Sequence, residues 1–314
     1  MQIEQYSTEM AADVAALIEE SFEEHRDSTP MTFLECTEPW TPREELLDTL
    51  TSDQVCVEAS HVALEGGNPV SAALAVGSGE KCGWWRIATA PDHRRRGLAR
   101  ACVEAGESAL RRQGAQEAVA TDAVVDSRWQ AAESFLEALG YELEDPEKRN
   151  ITMVAPDWSP QEVELPEGFS FETLREDTLG EWIALRNEVF GSEHDTDWFR
   201  GRFMERSDYD AAGWKIIRHE GRMIGISSAV CVSGERDPEH LRGAQIEWVG
   251  VLEEFRGLHL GEKLVVACMN HAAESGFLPV LLITQPFRVP AISLYEKLGF
   301  RITAAWHSWR KELK

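Results

Sequence analysis

The chain has 314 residues, 43 % of them apolar and 27 % charged, enough for two cores of about 150 residues each. Its 31 Lys and Arg against 55 Asp and Glu leave a formal charge of −24, which argues against nucleic acid or an anionic membrane as partner, since both require surplus cations. No apolar run approaches the roughly 18 residues of a membrane span, and the start at Met1 lacks the regions of a signal peptide, so a cytoplasmic protein is expected. The six cysteines (36, 56, 82, 102, 231 and 268) form no CxxC pair and read as reduced, mostly buried thiols. Neither a disulfide framework nor a metal site is indicated, and no HExxH spacing occurs.

In chain order, Ile3 to Tyr6 reads as a strand and the pattern up to Phe22 as a helix. Residues 1–80 carry two cations and 17 acids, whereas 81–128 carry nine cations and six acids, centred on Arg94-Arg95-Arg96. Trp84 to Thr89 reads as a strand, Leu98 to Arg112 as a helix closed by Gly114, Ala118 to Thr121 as a strand, and a further helix ends at Leu139-Gly140-Tyr141. Pro156, Pro160 and Pro166 punctuate an acidic linker, 156–168. Phe171 to Leu174 then opens a second strand and helix running to Phe190. Glu193, His194, Asp195 and Asp197 form an acidic cluster read chiefly as solvated surface, the alternative being attraction of a cationic amine or service as its base. Trp214–Ile217 and Ile224–Ile226 flank a Glu220-Gly221 hairpin turn. Ile246 to Val251 reads as a buried strand, Leu260 to Ala273 as a helix with Cys268 in its core, Pro279 to Thr284 as a strand and Ala291 to Leu298 as a short helix.

The chain is thus written twice. Ile3 and Phe22 recur at Phe171 and Phe190, and Arg94, Gly114 and Gly140 recur at Arg256, Gly276 and Gly299, with offsets that drift as loop insertions would make them. Two domains of one mixed α/β (α+β) fold are expected, over 1–155 and 169–314.

In each half a loop joins a strand to a helix: Pro91-Asp92-His93-Arg94-Arg95-Arg96-Gly97-Leu98-Ala99 and Arg256-Gly257-Leu258-His259-Leu260-Gly261. A glycine lets backbone approach a ligand, and first-turn amides are anion donors. No Walker or dinucleotide loop is present. With its strand before, its helix after and a Leu-Gly-aromatic helix end about 40 residues on, the Arg-x-x-Gly-x-Ala string resembles the coenzyme A loop of the GNAT acyl-CoA N-acyltransferase superfamily, here as a tandem pair. The resemblance implies, for each half, a mostly antiparallel twisted sheet flanked by helices. It implies acetyl-CoA as co-substrate, with Thr89, Arg94, Arg95, Arg96, Gly97, Leu98 and Ala99 holding one coenzyme and Val251, Arg256, Gly257, Leu258, His259, Leu260 and Gly261 the other. His259 stands where the first loop has Gly97; the amide donors survive that change if φ stays negative.

The resemblance also implies a tyrosine beside the coenzyme sulfur. That residue is Tyr295; in the first half the position is Phe135. A phenol near pKa 10 facing a thiol near 8.5 would transfer its proton uphill by about 2 kcal/mol, so hydrogen bonding to the developing thiolate is favoured over early donation. The acceptor amine needs a base, and Glu247 is the candidate; four residues before Val251, it would share a face with Val251 on a regular strand. The first half keeps the better phosphate loop and the second keeps Tyr295 and Glu247, so the second half is expected to be catalytic. Its thioester carbonyl would meet a backbone N–H near Gly250–Leu252 in a cleft between the 247–251 and 280–284 strands. The acceptor is an amine on a small molecule or peptide, the protein a monomer or homodimer. The competing reading is a non-catalytic acyl-CoA sensor or scaffold.

Overall fold

The computed structural model describes residues 2–23, 43–77, 82–120, 129–145, 147, 149–233 and 242–314; Cys36 and Thr121 lie outside them. The first half runs β1 (Gln2–Gln5), α1 (Ala11–Phe22), α2 (Arg43–Thr51), β2 (His61–Glu65), β3 (Asn68–Val76), β4 (Gly83–Thr89), α3 (Leu98–Arg112), β5 (Glu117–Ala120), α4 (Gln130–Ala138), β6 (Glu142–Leu143) and β7 (Asn150–Ala155). The second repeats it: β8 (Phe169–Thr173), α5 (Leu179–Phe190), α6 (Thr196–Phe199), β9 (Trp214–His219), β10 (Arg222–Ser233), β11 (Arg242–Val251), α7 (Leu260–Glu274), β12 (Val280–Thr284), α8 (Val289–Lys297), β13 (Arg301–Trp306) and β14 (Trp309–Glu312). The elements expected from the sequence are present, α3 at its expected bounds and others shifted by a few residues, but each half ends in two strands after its last helix where one was expected.

Two seven-stranded mixed sheets result, ordered β1-β2-β3-β4-β5-β14-β6 and β13-β7-β12-β11-β10-β9-β8. Helices cover both faces, as buried strands such as Asn68–Val76 require. The last strands are exchanged. β7, from the first half, lies between β12 and β13, pairing Leu282 with Met153 and Ile302 with Met153. β14, at the chain end, lies between β5 and β6, pairing Trp309 with Ala120 and with Leu143. Each core therefore contains side chains from the end of the other half, Trp309 and Leu313 in the first and Met153 and Ala155 in the second.

The parallel pair in each sheet separates early. β4 and β5 pair only at Gly83–Trp84 with Val119–Ala120, and β11 and β12 only at Ala244–Ile246 with Val280–Leu282. Beyond these positions β4 and β11 have no partner strand on that side among the described residues. α3 presses close behind β4: a Cβ on Gly106 would lie 2.4 Å from the Trp84 ring and 2.2 Å from the Ala59 carbonyl oxygen. No helix of the described residues is long and apolar enough to cross a membrane. The cysteines at 56, 82, 102, 231 and 268 are free and buried.

Candidate functional site

The two loops fold alike. Arg94 (φ −64°, ψ 158°) and Arg256 (φ −67°, ψ 155°) share one backbone conformation. Each then takes two left-handed residues before its helix, Arg95 (φ 65°) and Gly97 (φ 78°) in one, Gly257 (φ 85°) and His259 (φ 57°) in the other. The condition of a negative φ at His259 is not met: the histidine adopts the glycine's left-handed conformation at a cost of about 1–2 kcal/mol. It fits because a Cβ built on Gly97 meets nothing within 4 Å, and His259 itself points into solvent beside Glu262.

The conformation strips the amides of acceptors. From Arg95 to Arg100, and from Gly257 to Glu262, no backbone N–H finds an intramolecular acceptor among the described residues, the ladder resuming at Ala101 and Lys263. Leu98 and Leu260 are buried and pin the helix starts, while Ala99 and Gly261 are half-buried behind them. Acceptor-free amides at a helix N-terminus are the kind of donor set that suits an anion. The electrostatics differ between copies. Arg100 follows the first loop, where the second has Glu262 in the first helical turn and Glu253 and Glu254 just before Arg256.

The loop arginines do not simply point outward. Arg94 Nε donates to the Thr89 carbonyl (3.4 Å) and Nη2 to the Ser21 carbonyl (2.7 Å); Arg256 Nε donates to the Val251 carbonyl (3.4 Å). Arg96 donates to Glu65 at 2.7 Å, and with His93 it pushes the Glu65 carboxyl down to about 2. Leu258 is half exposed on the second loop.

Thr89 and Val251 occupy equivalent ends of β4 and β11. Ala90 N donates to Val70 and Leu252 N to Ile224, so by antiparallel alternation the peptide groups of Thr89 and Val251 face away from β3 and β10, toward the open edge. Along the first of these edges runs a cavity of about 710 Å³ lined by Thr89, Arg94, Arg95, Gly97, Leu98 and Ala99, with Phe22 and Phe135 also in its wall.

In the second half, Tyr295 on α8 is 7 % exposed and packs edge-on to Phe300 at 6.0 Å, in the apolar cluster that holds Ile246, Leu282 and Val249. Burial pushes its phenol up to about 12, the Arg288 cation acting weakly the other way. The phenol is therefore a hydrogen-bond donor throughout the neutral range, and its full proton transfer to a thiol near 8.5 is uphill by about 5 kcal/mol.

Glu247 departs from expectation in one respect. A bulge interrupts β11: Glu247 opposes Ser228 while Gly250 opposes Ile226, and Trp248 between them takes φ 49°. The bulge shifts the side-chain alternation by one, so Glu247 and Val251 lie on opposite faces of the sheet. Glu247 shares the face of Ile226, which packs on α5, and Val251 that of Gly225, whose missing Cβ faces Leu264 of α7. Gln245 donates to Glu247 Oε1 at 2.5 Å, and the Ser227 and Ser228 hydroxyls donate to its carbonyl. Gly250 is required here, since a Cβ would lie 2.8 Å from Val189 Cγ1. Leu252 N, within the expected carbonyl-binding stretch, is already bonded to Ile224.

The acidic cluster is used structurally: Asp195 accepts from Trp198 N (2.8 Å) and caps α6, and Asp197 pairs with Arg200. Sequence reasoning missed Arg186, which lies beneath the cluster against Trp198 and Trp248. The signal was present: Trp182, Arg186 and Val189 fall on the inward stripe of α5, and a cation on such a stripe is exceptional.

Comparison with known proteins converges with this geometry. The family model described as "Acetyltransferase (GNAT) family" matches residues 15–141 and again 172–300. Among curated relatives, a mycothiol acetyltransferase of Parafrankia sp. is 23 % identical across 85 % of this chain and 88 % of its own length. One from Kocuria rhizophila is 30 % identical across 47 % of this chain and 50 % of its own. The chain matches about half the length of the Kocuria relative and of its Geodermatophilus obscurus counterpart. Among solved structures, a GCN5-related N-acetyltransferase from Sphaerobacter thermophilus superposes with TM-score 0.68 at 20 % identity, covering 100 % of this chain and 96 % of its own. A tandem GNAT protein from the clavulanic acid biosynthesis pathway gives 0.66 at 18 %, covering 100 % and 98 %. With the family model matched separately in both halves, the chain belongs to the acetyltransferase (GNAT) family.

Proposed function

We propose that this protein moves an acetyl (acyl) group from acetyl-CoA to a primary amine of a small molecule or peptide, by direct attack in a ternary complex, with the chemistry in the second half. The observation that carries the reading is the twin arrangement of six acceptor-free amides at a helix start beside a strand end whose partner has diverged. The amides suit a diphosphate, and the open edge at Val251 or Thr89 suits an extended, amide-bearing chain added like a strand. An amine of ordinary pKa is neutral in about one molecule per few thousand at pH 7, a penalty of roughly 4–5 kcal/mol, and Glu247 is the base that relieves it. Tyr295 donates a hydrogen bond to the departing sulfur. The first half, with Phe135 for Tyr295 and no acid along β4, holds acetyl-CoA in its cavity without turning it over. The reading includes a cytoplasmic location and a monomer or homodimer.

Tyr295→Phe should lower kcat about ten-fold or more while the acetyl-CoA KM stays within about two-fold. Because burial holds the phenol near 12, the wild-type rate should show no alkaline loss from its ionisation below about pH 10, and thiol-release assays across pH check both statements. Unaltered turnover by the phenylalanine variant removes the tyrosine from the mechanism. Arg94→Ala should abolish one acetyl-CoA equivalent in isothermal titration and leave turnover intact; a large fall in turnover would move the chemistry to the first half.

A further inference from the structure

Arg186 is an unusual buried cation. It is 7 % exposed, and its guanidinium carbon lies 4.7 Å from the ring centre of Trp198 and 5.0 Å from that of Trp248. The two indole centres are 6.0 Å apart and the rings meet edge to face, so both lie on neighbouring sides of the guanidinium and shield it together. Nη1 donates to Ser192 Oγ at 2.7 Å, which uses one corner. Nε is buried with no partner at all, and no hydrogen bond of Nη2 exists among the described residues. What remains is the edge formed by Nε–H and Nη2–H, two parallel donors at the spacing of a carboxylate's two oxygens. Elsewhere in the chain that edge is used in this way: Arg206 grips both oxygens of Asp208 at 2.8 Å through Nε and Nη2.

A buried N–H left unbonded costs about 1–3 kcal/mol, more when charged. Arg149 and Arg310 also leave Nε unpartnered, but their Nη2 is taken by Glu133 and Glu144, whereas on Arg186 both donors of the edge are open. Desolvation pulls the Arg186 pKa down; Glu247 opposes that shift and Arg202 adds to it. One negative and two positive groups, on β11, α5 and the 200–204 turn, thus lie within electrostatic reach of one another. Backbone strain sits at the same spot, since Trp248 holds φ 49°, which a bulky residue adopts only when its surroundings enforce it.

We propose that the acceptor is an amino carboxylate: its carboxylate is held by the Nε/Nη2 edge of Arg186, beside the Trp198 and Trp248 rings, and its amine lies toward Glu247. This rests on the reading that the second half is the transferase. The pairing is dipolar: Glu247 attracts the ammonium end, Arg186 and Arg202 the carboxylate end. An arginine fork, unlike a lysine, discriminates a planar two-oxygen group from the isosteric amide, which presents one oxygen and two unwanted donors.

The test offers the intact protein the common α-amino acids, β-alanine and 4-aminobutyrate, each beside its carboxamide. Thiol release with acetyl-CoA reads turnover, and ligand-observed NMR without acetyl-CoA reads binding. At least one amino carboxylate should be acetylated and bound about ten-fold or more better than its carboxamide. In Arg186→Lys, whose folding is checked by its melting curve, that ratio should fall to near one with the acetyl-CoA KM unchanged. Equal use of carboxylates and carboxamides by the wild-type protein overturns the proposal without any variant. Carboxylate-selective binding, lost in Arg186→Lys but unaccompanied by turnover of any amine, upholds the carboxylate site and overturns the transferase reading instead.

Discussion

Glu247→Gln lowers kcat/KM for acetyl transfer by about 10²–10³ at pH 7, and the deficit narrows as pH rises toward the pKa of the acceptor amine. The magnitude follows from the task. At pH 7 nearly all the amine is protonated, and a positioned carboxylate is what removes the proton during attack; at pH 10 much of it is already neutral and the carboxylate has less to do. Glutamine keeps the shape and can still meet Gln245, so the fold is preserved. A merely structural Glu247 would behave differently: its loss would lower the melting temperature and depress activity equally at all pH values. The measurement is the pH dependence of kcat/KM for both proteins between about pH 6.5 and 10. A deficit that stays constant across that range removes Glu247 as base and leaves it as a partner of the cations around it.

The bulge at Trp248 explains why this site was only half legible in the sequence. Alternation of side chains puts Glu247 with Val251, on the side of α7; a single extra residue sends it to the side of α5, where Arg186 lies. Nothing in the string Ile246-Glu247-Trp248-Val249-Gly250 announces the bulge, since a tryptophan is among the last residues to be assigned a positive φ. The glycine loops were more transparent. Their spacing and the repeated offset locate both helix starts, because a short loop between strand and helix leaves little freedom. Yet the left-handed residues are distributed differently between the copies, and His259 keeps by strain what Gly97 keeps without it. Hydrophobic period and turn residues likewise mark the strands, while the choice of sheet is invisible. A strand such as Trp309–Glu312 carries the same alternation wherever it pairs, and only the burial of its partners decides.

Lys311→Met, three residues from the chain end, destabilises the first half by about 3 kcal/mol, lowering its melting temperature by roughly 5–10 °C. The reason is Glu107, which is 2 % exposed inside α3. Both of its oxygens accept from Lys311 Nζ at 2.8 Å, and Oε1 also accepts from the Tyr141 hydroxyl at 3.0 Å, itself bonded by Trp84 Nε1 at 2.6 Å. The only other cation against it, among the described residues, is Arg111 at 3.5 Å, on the rim of the same helix. Burying a carboxylate without its close cation leaves the desolvation penalty uncompensated, which is the costly way to break a buried pair. Glu107→Gln together with Lys311→Met should recover most of the loss, because a neutral amide can still accept from Tyr141 and demands no counter-charge. Calorimetry of the four proteins supplies the cycle, and hydrogen exchange at β4 and β5 locates the weakened region. If strand exchange is the architecture, opening spreads from the C-terminal residues into the first sheet, although 204 positions separate Lys311 from Glu107. A variant that melts like the wild type, or one that loosens only β11 and β12, rules out β14 as a structural part of the first half. With the exchange in place, neither half completes its sheet alone, and a single cooperative melting transition is the expected result in calorimetry.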